Sequence, residues 1–389
     1  MNMRPVIRVK PREGKRARGG APWLYSNEVE MAKSLPPGSL VSVLGDDGRP
    51  FGCGFFNPKS LIAVRLIDPA PDAEIDTAFF AAKLKRALAL RESLYPAPYY
   101  RLVHAEGDGL PGLVIDRFAE TCVVQITSAG MESLRSELLA ALDETLGPQN
   151  VVLRADAPAR ALEGLDSYVE AAKGEAGRIA VEENAVRYFA EPEAGQKTGW
   201  YYDQRDNRAF MAALAKGRSV LDAYCYSGGF ALAAAKSGAG EVAGLESSAA
   251  AVALAEEGAA ANHLQAKFLK TDVIAELERL GAAGERFEVV IADPPPFVKA
   301  KKDLETGAKA YRKLARLAAG VAAENGVLLL ASCSHNIPPE RFALECATGM
   351  ARAGRRARLI RQAGAGPDHP IHPMLPESAY LKALVFALD

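Results

Sequence analysis

The order of apolar and polar positions divides the chain into three stretches. In the first, Leu40-Val41-Ser42-Val43-Leu44 alternates, Gly45 to Gly48 turns, and Phe51 to Phe56 and Leu61 to Ile67 resume the alternation. Short strands with glycine-rich turns predict a small barrel. Asp68-Pro69-Ala70-Pro71-Asp72 closes it and reads as a linker. In the second stretch, Asp76 is a candidate N-cap for a helix carrying Phe80, Leu84 and Leu88 on one face. Leu113 to Asp116 and Cys122 to Thr127 follow as strands, broken at Ala119-Glu120. A helix over 131–146, a strand at Val151 to Arg154 and a hairpin over 181–190 turning at Glu183-Asn184 complete it; 155–180 shows no pattern. A strand-strand-helix-strand-strand unit is expected.

From about residue 200 strands and helices alternate strictly. Strands are predicted at 219–223, 241–245, 266–269, 289–292 and 327–331, with further ones near Leu359 and Leu384, and helices between them. Repeated strand–helix units give an α/β fold, a parallel sheet with helices on both faces. Ligands of such sheets bind outside the strand C-terminal ends.

At 389 residues the chain exceeds what one core usually supports, which implies two or three domains. The hydrophobic fraction of 49% and charged fraction of 24% exclude disorder or a coiled coil for the whole chain. No run approaches a membrane helix, and the basic N-terminus lacks the apolar core of a secretory signal. Five scattered cysteines without CxxC spacing argue against a disulfide framework or a zinc site and fit a reducing cytoplasm. Net charge is −1 but unevenly placed. Residues 1–20 hold seven Lys/Arg against one acid, 299–316 seven against two, and 352–361 five arginines. One such cluster is ordinarily solvated surface; several in one chain point to a polyanionic partner.

The candidate chemistry lies at predicted strand ends. Leu221-Asp222-Ala223-Tyr224-Cys225-Tyr226-Ser227-Gly228-Gly229-Phe230 brings glycines to a helix start, where backbone approaches a ligand closely. The same glycines also serve tight strand–helix packing. Glu246 ends the next strand, placed to accept both hydroxyls of an adenosine-type ribose. Asp272 follows the third strand, where it either caps a helix or meets an adenine edge. The loop has neither GxGxxG nor GxxxxGK[ST] spacing, which disfavours hydride transfer and nucleotide hydrolysis.

Ile291-Ala292-Asp293-Pro294-Pro295-Pro296-Phe297 ends the fourth strand in a rigid turn that aims a carboxylate into the cleft, with Phe297 able to stack on a flipped base. Leu330-Ala331-Ser332-Cys333-Ser334-His335 ends the fifth. A thiolate there is a strong nucleophile, although free cysteines are more often inert core residues. Cys225 is a rival in the glycine loop; Cys53, Cys122 and Cys346 read as packing. Upstream, residues 194–205 form a polar loop with three aromatics, suited to closing over a ligand. The five histidines form no metal set, and Asp368-His369-Pro370 reads as a loop near the site.

Together these stretches resemble the S-adenosylmethionine-dependent methyltransferases that modify cytosine C5 in bacterial large-subunit ribosomal RNA and carry an N-terminal PUA domain. The matching pieces are GQKTGWYYDQRDNR (195–208), LDAYCYSGGFAL (221–232), IADPPPF (291–297), ASCSH (331–335), DHP (368–370) and YLK (380–382), with RLVHAEGDGLPGLVIDRF (101–118) resembling the central domain. The resemblance covers nearly the whole chain. It implies a PUA-like RNA-binding barrel at 1–75, a small central α+β domain at 76–190, and a Rossmann-like class I methyltransferase domain with a mostly parallel seven-stranded sheet at 191–389. It also implies a cytoplasmic homodimer acting on ribosomal RNA.

By the same resemblance Cys333 is the nucleophile and Asp293 holds the cytosine edge, beside Pro294 and Phe297. S-adenosylmethionine would lie on Lys197, Tyr201, Asp222, Tyr224, Ser227, Gly228, Gly229, Glu246, Ser247, Asp272 and Val273. Arg4, Arg8, Lys10, Arg12 and Lys15 are expected to contact RNA phosphates. One departure is Pro295 and Pro296, which stand where many RNA cytosine-C5 enzymes carry a second, product-releasing cysteine. Relatives that methylate guanine or an exocyclic amine share the acid–proline motif without a nucleophile. A non-catalytic RNA-binding assembly factor is the third reading, disfavoured by the intact Glu246 and Gly228-Gly229.

Overall fold

The computed structural model describes residues 4–193, 195 and 198–389. It divides into two compact units. One comprises residues up to 179 with 191–200 and 367–378, the other 180–190, 201–366 and 379–389.

The first unit holds two five-stranded sheets. The N-terminal sheet is built from β1 (Val6–Arg8), β2 (Trp23–Tyr25), β3 (Ser39–Leu44), β4 (Pro50–Phe56) and β5 (Ile62–Asp68), in the order β1-β3-β4-β5-β2. Its alternating positions Ile7, Val41, Val43, Phe56 and Val64 meet in one core. The second is built from β6 (Tyr99–His104), β7 (Leu113–Phe118), β8 (Thr121–Ile126), β9 (Asn150–Ala155) and β10 (Tyr168–Lys173), ordered β10-β9-β8-β7-β6. The helix Thr77–Leu94 buries Phe80 and Leu84, and Asp76 caps it by accepting from the Phe79 amide at 2.9 Å. The helix expected over 131–146 is two, Ala129–Ser133 and Arg135–Leu146. The Ser133 hydroxyl donates to the Gly130 carbonyl, a local bond that competes with helix propagation where the chain breaks.

Residues 367–378 depart from the sequence expectation, which put Asp368-His369-Pro370 in the C-terminal domain. They belong to the first unit. The cause is a set of buried donors. Arg91, fully buried, pairs with Asp108 at 2.6 Å and donates to the Asp368 carbonyl at 2.9 Å. The Arg101 amide donates to Asp368 Oδ2 at 3.0 Å, and His369 Nδ1 lies 2.8 Å from Asp368 Oδ1.

The second unit begins with a hairpin, β11 (Ile179–Glu183) and β12 (Val186–Ala190). Its turn is Asn184-Ala185, both at positive φ, one residue later than the sequence suggests. The sequence places this hairpin in the central domain. It sits instead in the second unit, because buried Glu183 pairs with Arg208 at 2.6 Å and Arg205 at 3.4 Å on the helix Arg205–Ala215.

The main sheet uses β13 (Val220–Ala223), β14 (Val242–Glu246), β15 (Lys267–Lys270), β16 (Phe287–Ala292), β17 (Ala322–Ser332), β18 (Ala357–Ala363) and β19 (Lys382–Leu388). Their order is β15-β14-β13-β16-β17-β19-β18, parallel except that β19 runs antiparallel to both neighbours. Alternate residues feed opposite faces: Leu221 and Val290 join the core under the helix Leu304–Gly320, Val220 and Val289 the core under Arg205–Ala215. The strand order reverses at β13, so the crevice for a ligand opens at its C-terminal end.

Removing one partner of a buried ion pair strands the other charge. Glu183→Ala is therefore expected to cost about 3–5 kcal/mol, measured by urea unfolding; a loss below about 1 kcal/mol would show that the pair does not fasten the hairpin.

Candidate active site

The loop after β13 is held in an uncommon conformation. Tyr224 and Tyr226 have φ of 66° and 50°, and Gly228 follows at 81°. Non-glycine residues at positive φ persist only where the surroundings fix them. Here the Cys225 amide donates to the Leu245 carbonyl at 3.0 Å and the Gly228 amide to the Cys225 carbonyl at 2.8 Å. Glu246 supplies the rest: its carboxylate accepts from the amides of Tyr226 (3.1 Å), Ser247 (2.7 Å) and Ser248 (2.8 Å) and from the Ser247 hydroxyl (3.1 Å). One acid thus joins the loops of two neighbouring strands.

Two polar atoms in this crevice, Asp222 Oδ1 and the Ser227 hydroxyl, are buried without a partner among the described residues. The other Asp222 oxygen caps the helix Gly229–Lys236, accepting from the Ala231 amide at 2.8 Å. Burial pushes the Asp222 carboxyl up to about 8, so it is mostly protonated at neutral pH. Orphaned buried polar groups beside a glycine-opened backbone suit a polar ligand. These residues fit S-adenosylmethionine: Asp222, Ser227 and the 224–229 backbone would form its cradle. Tyr201 stands against Tyr226 with ring centroids 5.3 Å apart. Asp272 is exposed and caps its helix through the Ala275 amide at 2.8 Å. Val273 puts its side chain in the hydrophobic core. Lys197 lies outside the described residues.

The neighbouring strand ends carry the second half of the site. Ala292 of β16 stands opposite Leu330 of β17, so Asp293 and Cys333 leave the sheet at the same end on adjacent strands. Both act electrostatically on Tyr201 and Tyr311, whose hydroxyls burial pushes upward, Tyr311 to about 12. Gln204 Nε2 donates to Asp293 Oδ2 at 2.9 Å, and its own carbonyl accepts from Asn207 at 2.7 Å, which orients the carboxyl. Pro294 is buried and Phe297 half-buried, its ring 4.8 Å from that of Tyr311.

Cys333 is half-buried, whereas Cys53, Cys122, Cys225 and Cys346 are buried. Burial pushes the thiols of all four upward, against thiolate formation. Lys382 of β19 is buried beside the loop carrying Cys333. Its ammonium donates to the carbonyls of Ser334 (2.5 Å) and Ile337 (3.2 Å), burial lowers its pKa, and Cys333 opposes that shift. Sequence reasoning did not single out Gln204, Tyr311 or Lys382 for a role; Gln204 and Lys382 lie inside recognised stretches, while Tyr311 carries no local signal.

Of the basic residues expected to meet RNA, Arg8, Arg12 and Lys15 are exposed on the first unit, and Lys10 donates to the Asn27 carbonyl at 3.0 Å. Arg4 differs. Its guanidinium donates to the carbonyls of Pro71 (2.9 Å) and Ala73 (2.7 Å), so it fastens the linker after the barrel.

The Asp222 carboxyl gives a pH test. Its folded pKa lies above the unfolded 3.8, so the unfolded state ionises first and stability falls as pH rises from about 4 to 8. Asp222→Asn keeps the acceptor for Ala231 and removes the titration. Without ligand, the melting temperature of the wild type is expected to drop more steeply from pH 5 to 8 than that of the variant; parallel curves would contradict the buried neutral carboxyl.

Comparison with known proteins agrees with this geometry. A PUA-like domain model matches residues 7–69, and an S-adenosylmethionine-dependent methyltransferase model matches residues 160–387. A protein named ribosomal RNA large subunit methyltransferase I from Shewanella amazonensis is 36% identical, over 97% of this chain and 98% of its own length. One of the same name from Tolumonas auensis is 36% identical over 94% of each. A structure described as a SAM-dependent methyltransferase from Streptococcus mutans shares the fold at TM-score 0.83 and 19% identity, covering 98% of this chain and all of that one. Another methyltransferase, complexed with SAH, does so at TM-score 0.85 and 20% identity, over 98% and 100%. With its PUA-like barrel, its seven-stranded sheet and the crevice at β13, this chain belongs to the family of S-adenosylmethionine-dependent methyltransferases that includes the ribosomal RNA large subunit methyltransferases I.

Proposed function

We propose that the chain methylates C5 of a cytidine in large-subunit ribosomal RNA through a covalent adduct of Cys333. The observation that carries this reading is the placement of a partly buried cysteine and a carboxyl on adjacent strand ends, beside the crevice that fits the methyl donor. The relatives' name supplies the RNA class.

C5 of cytosine is a poor nucleophile. Addition of the Cys333 thiolate to C6 breaks the C5–C6 double bond and places electron density on C5. Asp293, oriented by Gln204, accepts from the amino group through one carboxyl oxygen and, as the protonated acid, donates to N3 through the other, neutralising the charge that develops on the ring as sulfur adds. Lys382, directed at the carbonyls of the same loop, offers a nearby positive charge to the thiolate. S-adenosylmethionine, when bound, supplies the electrophilic methyl group that C5 accepts. A base or water then takes the C5 proton, the C6–S bond breaks, and Cys333 leaves as thiolate. Phe297 offers a face on which a flipped base stacks. Arg8, Lys10, Arg12 and Lys15 of the PUA-like domain contact RNA phosphates, and the protein acts in the cytoplasm as a homodimer.

Cys333→Ala is expected to lower methyl transfer into unmodified large-subunit ribosomal RNA by roughly a thousandfold or more. Asp293→Asn is expected to lower it by roughly 10²–10³-fold, with binding of S-adenosylhomocysteine retained in both. Radiolabelled methyl incorporation with nucleoside mass spectrometry reads the result. Full activity of Cys333→Ala, or a methyl group on guanine, would overturn the cysteine mechanism; absence of S-adenosylmethionine binding by the wild type would favour the assembly factor.

A further inference from the structure

The proposed reaction uses none of the basic residues clustered in 299–316 and 352–361, and the structure sorts them into two groups. Arg355 spends its guanidinium on the carbonyls of Ala319 (3.2 Å), Ala322 (2.7 Å) and Ala323 (2.9 Å), and Arg361 lies 4.4 Å over the Phe210 ring. These fasten the framework. Lys309, Arg312, Lys313 and Arg316 follow one another at i, i+3, i+4 and i+7 on the outer face of the helix Leu304–Gly320. With Arg352 of the helix Pro339–Arg352 they line a depression of ≈ 320 Å³.

The backbone builds this depression. A Cβ on Gly349 would lie 2.5 Å from the Arg312 carbonyl oxygen, so the two helices cross in backbone contact there. Arg352, about one turn further on, is thereby brought beside the row on the other helix. Arg312 pairs with Glu345 at 2.5 Å and Lys313 with Glu278 at 2.9 Å. The side chains of Lys309, Arg316 and Arg352 make no ion pair or hydrogen bond among the described residues. No acid lines the depression. Like charges at i+3, i+4 and i+7 repel, and a polyanion relieves that repulsion.

The inner face of the same helix carries Tyr311, whose hydroxyl meets both the Phe297 amide (3.3 Å) and the Ser332 hydroxyl (2.8 Å). Exposed Lys299, Lys301 and Lys302 fill the interval between Phe297 and the helix. These lysines stand in the segment that joins the loop of Asp293 to the helix carrying the basic row.

We propose that the depression lined by Lys309, Arg312, Lys313, Arg316 and Arg352 binds the phosphodiester backbone of the RNA substrate, giving the methyltransferase unit its own RNA contact, separate from the basic N-terminal arm. This rests on the reading of the protein as an RNA methyltransferase. Such a contact adds affinity with a salt dependence and no base preference.

The test compares full-length wild type with Lys309→Glu/Arg316→Glu/Arg352→Glu and with a control reversal of exposed lysines elsewhere on the unit, Lys216→Glu/Lys236→Glu/Lys267→Glu. The probe is protein-free large-subunit ribosomal RNA at several salt concentrations, with S-adenosylhomocysteine affinity as the check on folding. The depression variant is expected to bind RNA roughly tenfold or more weakly at low salt, with a log K against log salt slope shallower by about 2–3. Its S-adenosylhomocysteine affinity stays unchanged, and the control changes the slope little. An unchanged slope in the depression variant, or an equal loss in the control, would overturn the assignment while leaving the RNA-methyltransferase reading intact. Wild type that binds no RNA would overturn both.

Discussion

The site depends on how two loops from adjacent strands are tied together. The loop after β16 carries Asp293 and the loop after β17 carries Cys333, and neither belongs to regular structure. Four hydrogen bonds hold them in register. The Tyr311 hydroxyl bridges Phe297 and Ser332, the Ser334 hydroxyl donates to the Val298 carbonyl at 2.5 Å, and the Asn336 amide group donates to the Lys299 carbonyl at 3.0 Å. Lys382 closes the far side of the second loop. Most of these atoms are buried, so each broken bond would leave an unsatisfied polar group. A thiol and a carboxyl on such loops keep their spacing without a ligand to organise them, which is what the proposed addition to a flexible RNA base requires.

The cofactor crevice is organised differently. Its loop is strained at Tyr224 and Tyr226, and Glu246 collects three backbone amides to keep it there. The acid that sequence reasoning assigned to a ribose serves as the splice between the loops after β13 and β14. Asp222 and Ser227 are left with buried atoms that have no partner among the described residues, and burial raises the Asp222 pKa. The protein carries that cost in the free state, and a polar ligand offsets it.

What the chain order revealed, and what it hid, follows from where each constraint resides. Strands β13, β14, β16 and β17 were legible because their apolar runs are buried on both faces and end in polar turns. Asp76 announced a helix through its own cap, and Asp272 proved to be one. The Asp293 and Cys333 stretches were legible because strand ends of a parallel sheet share one edge. By contrast, β10 is an edge strand exposed along most of its length, so it has no alternation to read. Residues 367–378 and the hairpin at 179–190 were misplaced because buried Arg91 and Glu183 choose their partners across long separations. Arg4 looked like an RNA contact and is a clip on backbone carbonyls. Tyr311 sits in an ordinary amphipathic helix, and only the folded arrangement gives its hydroxyl two loops to join.

The most direct measurement is the site of covalent attachment on RNA whose cytidines are replaced by 5-fluorocytidine. Fluorine at C5 cannot leave as a proton, so an enzyme that adds through sulfur becomes trapped once the methyl group is transferred. Incubation with S-adenosylmethionine, digestion and peptide mass spectrometry should then find the nucleotide on Cys333. Attachment at Cys225, or no adduct under conditions where unsubstituted RNA is methylated, would contradict the role given to Cys333.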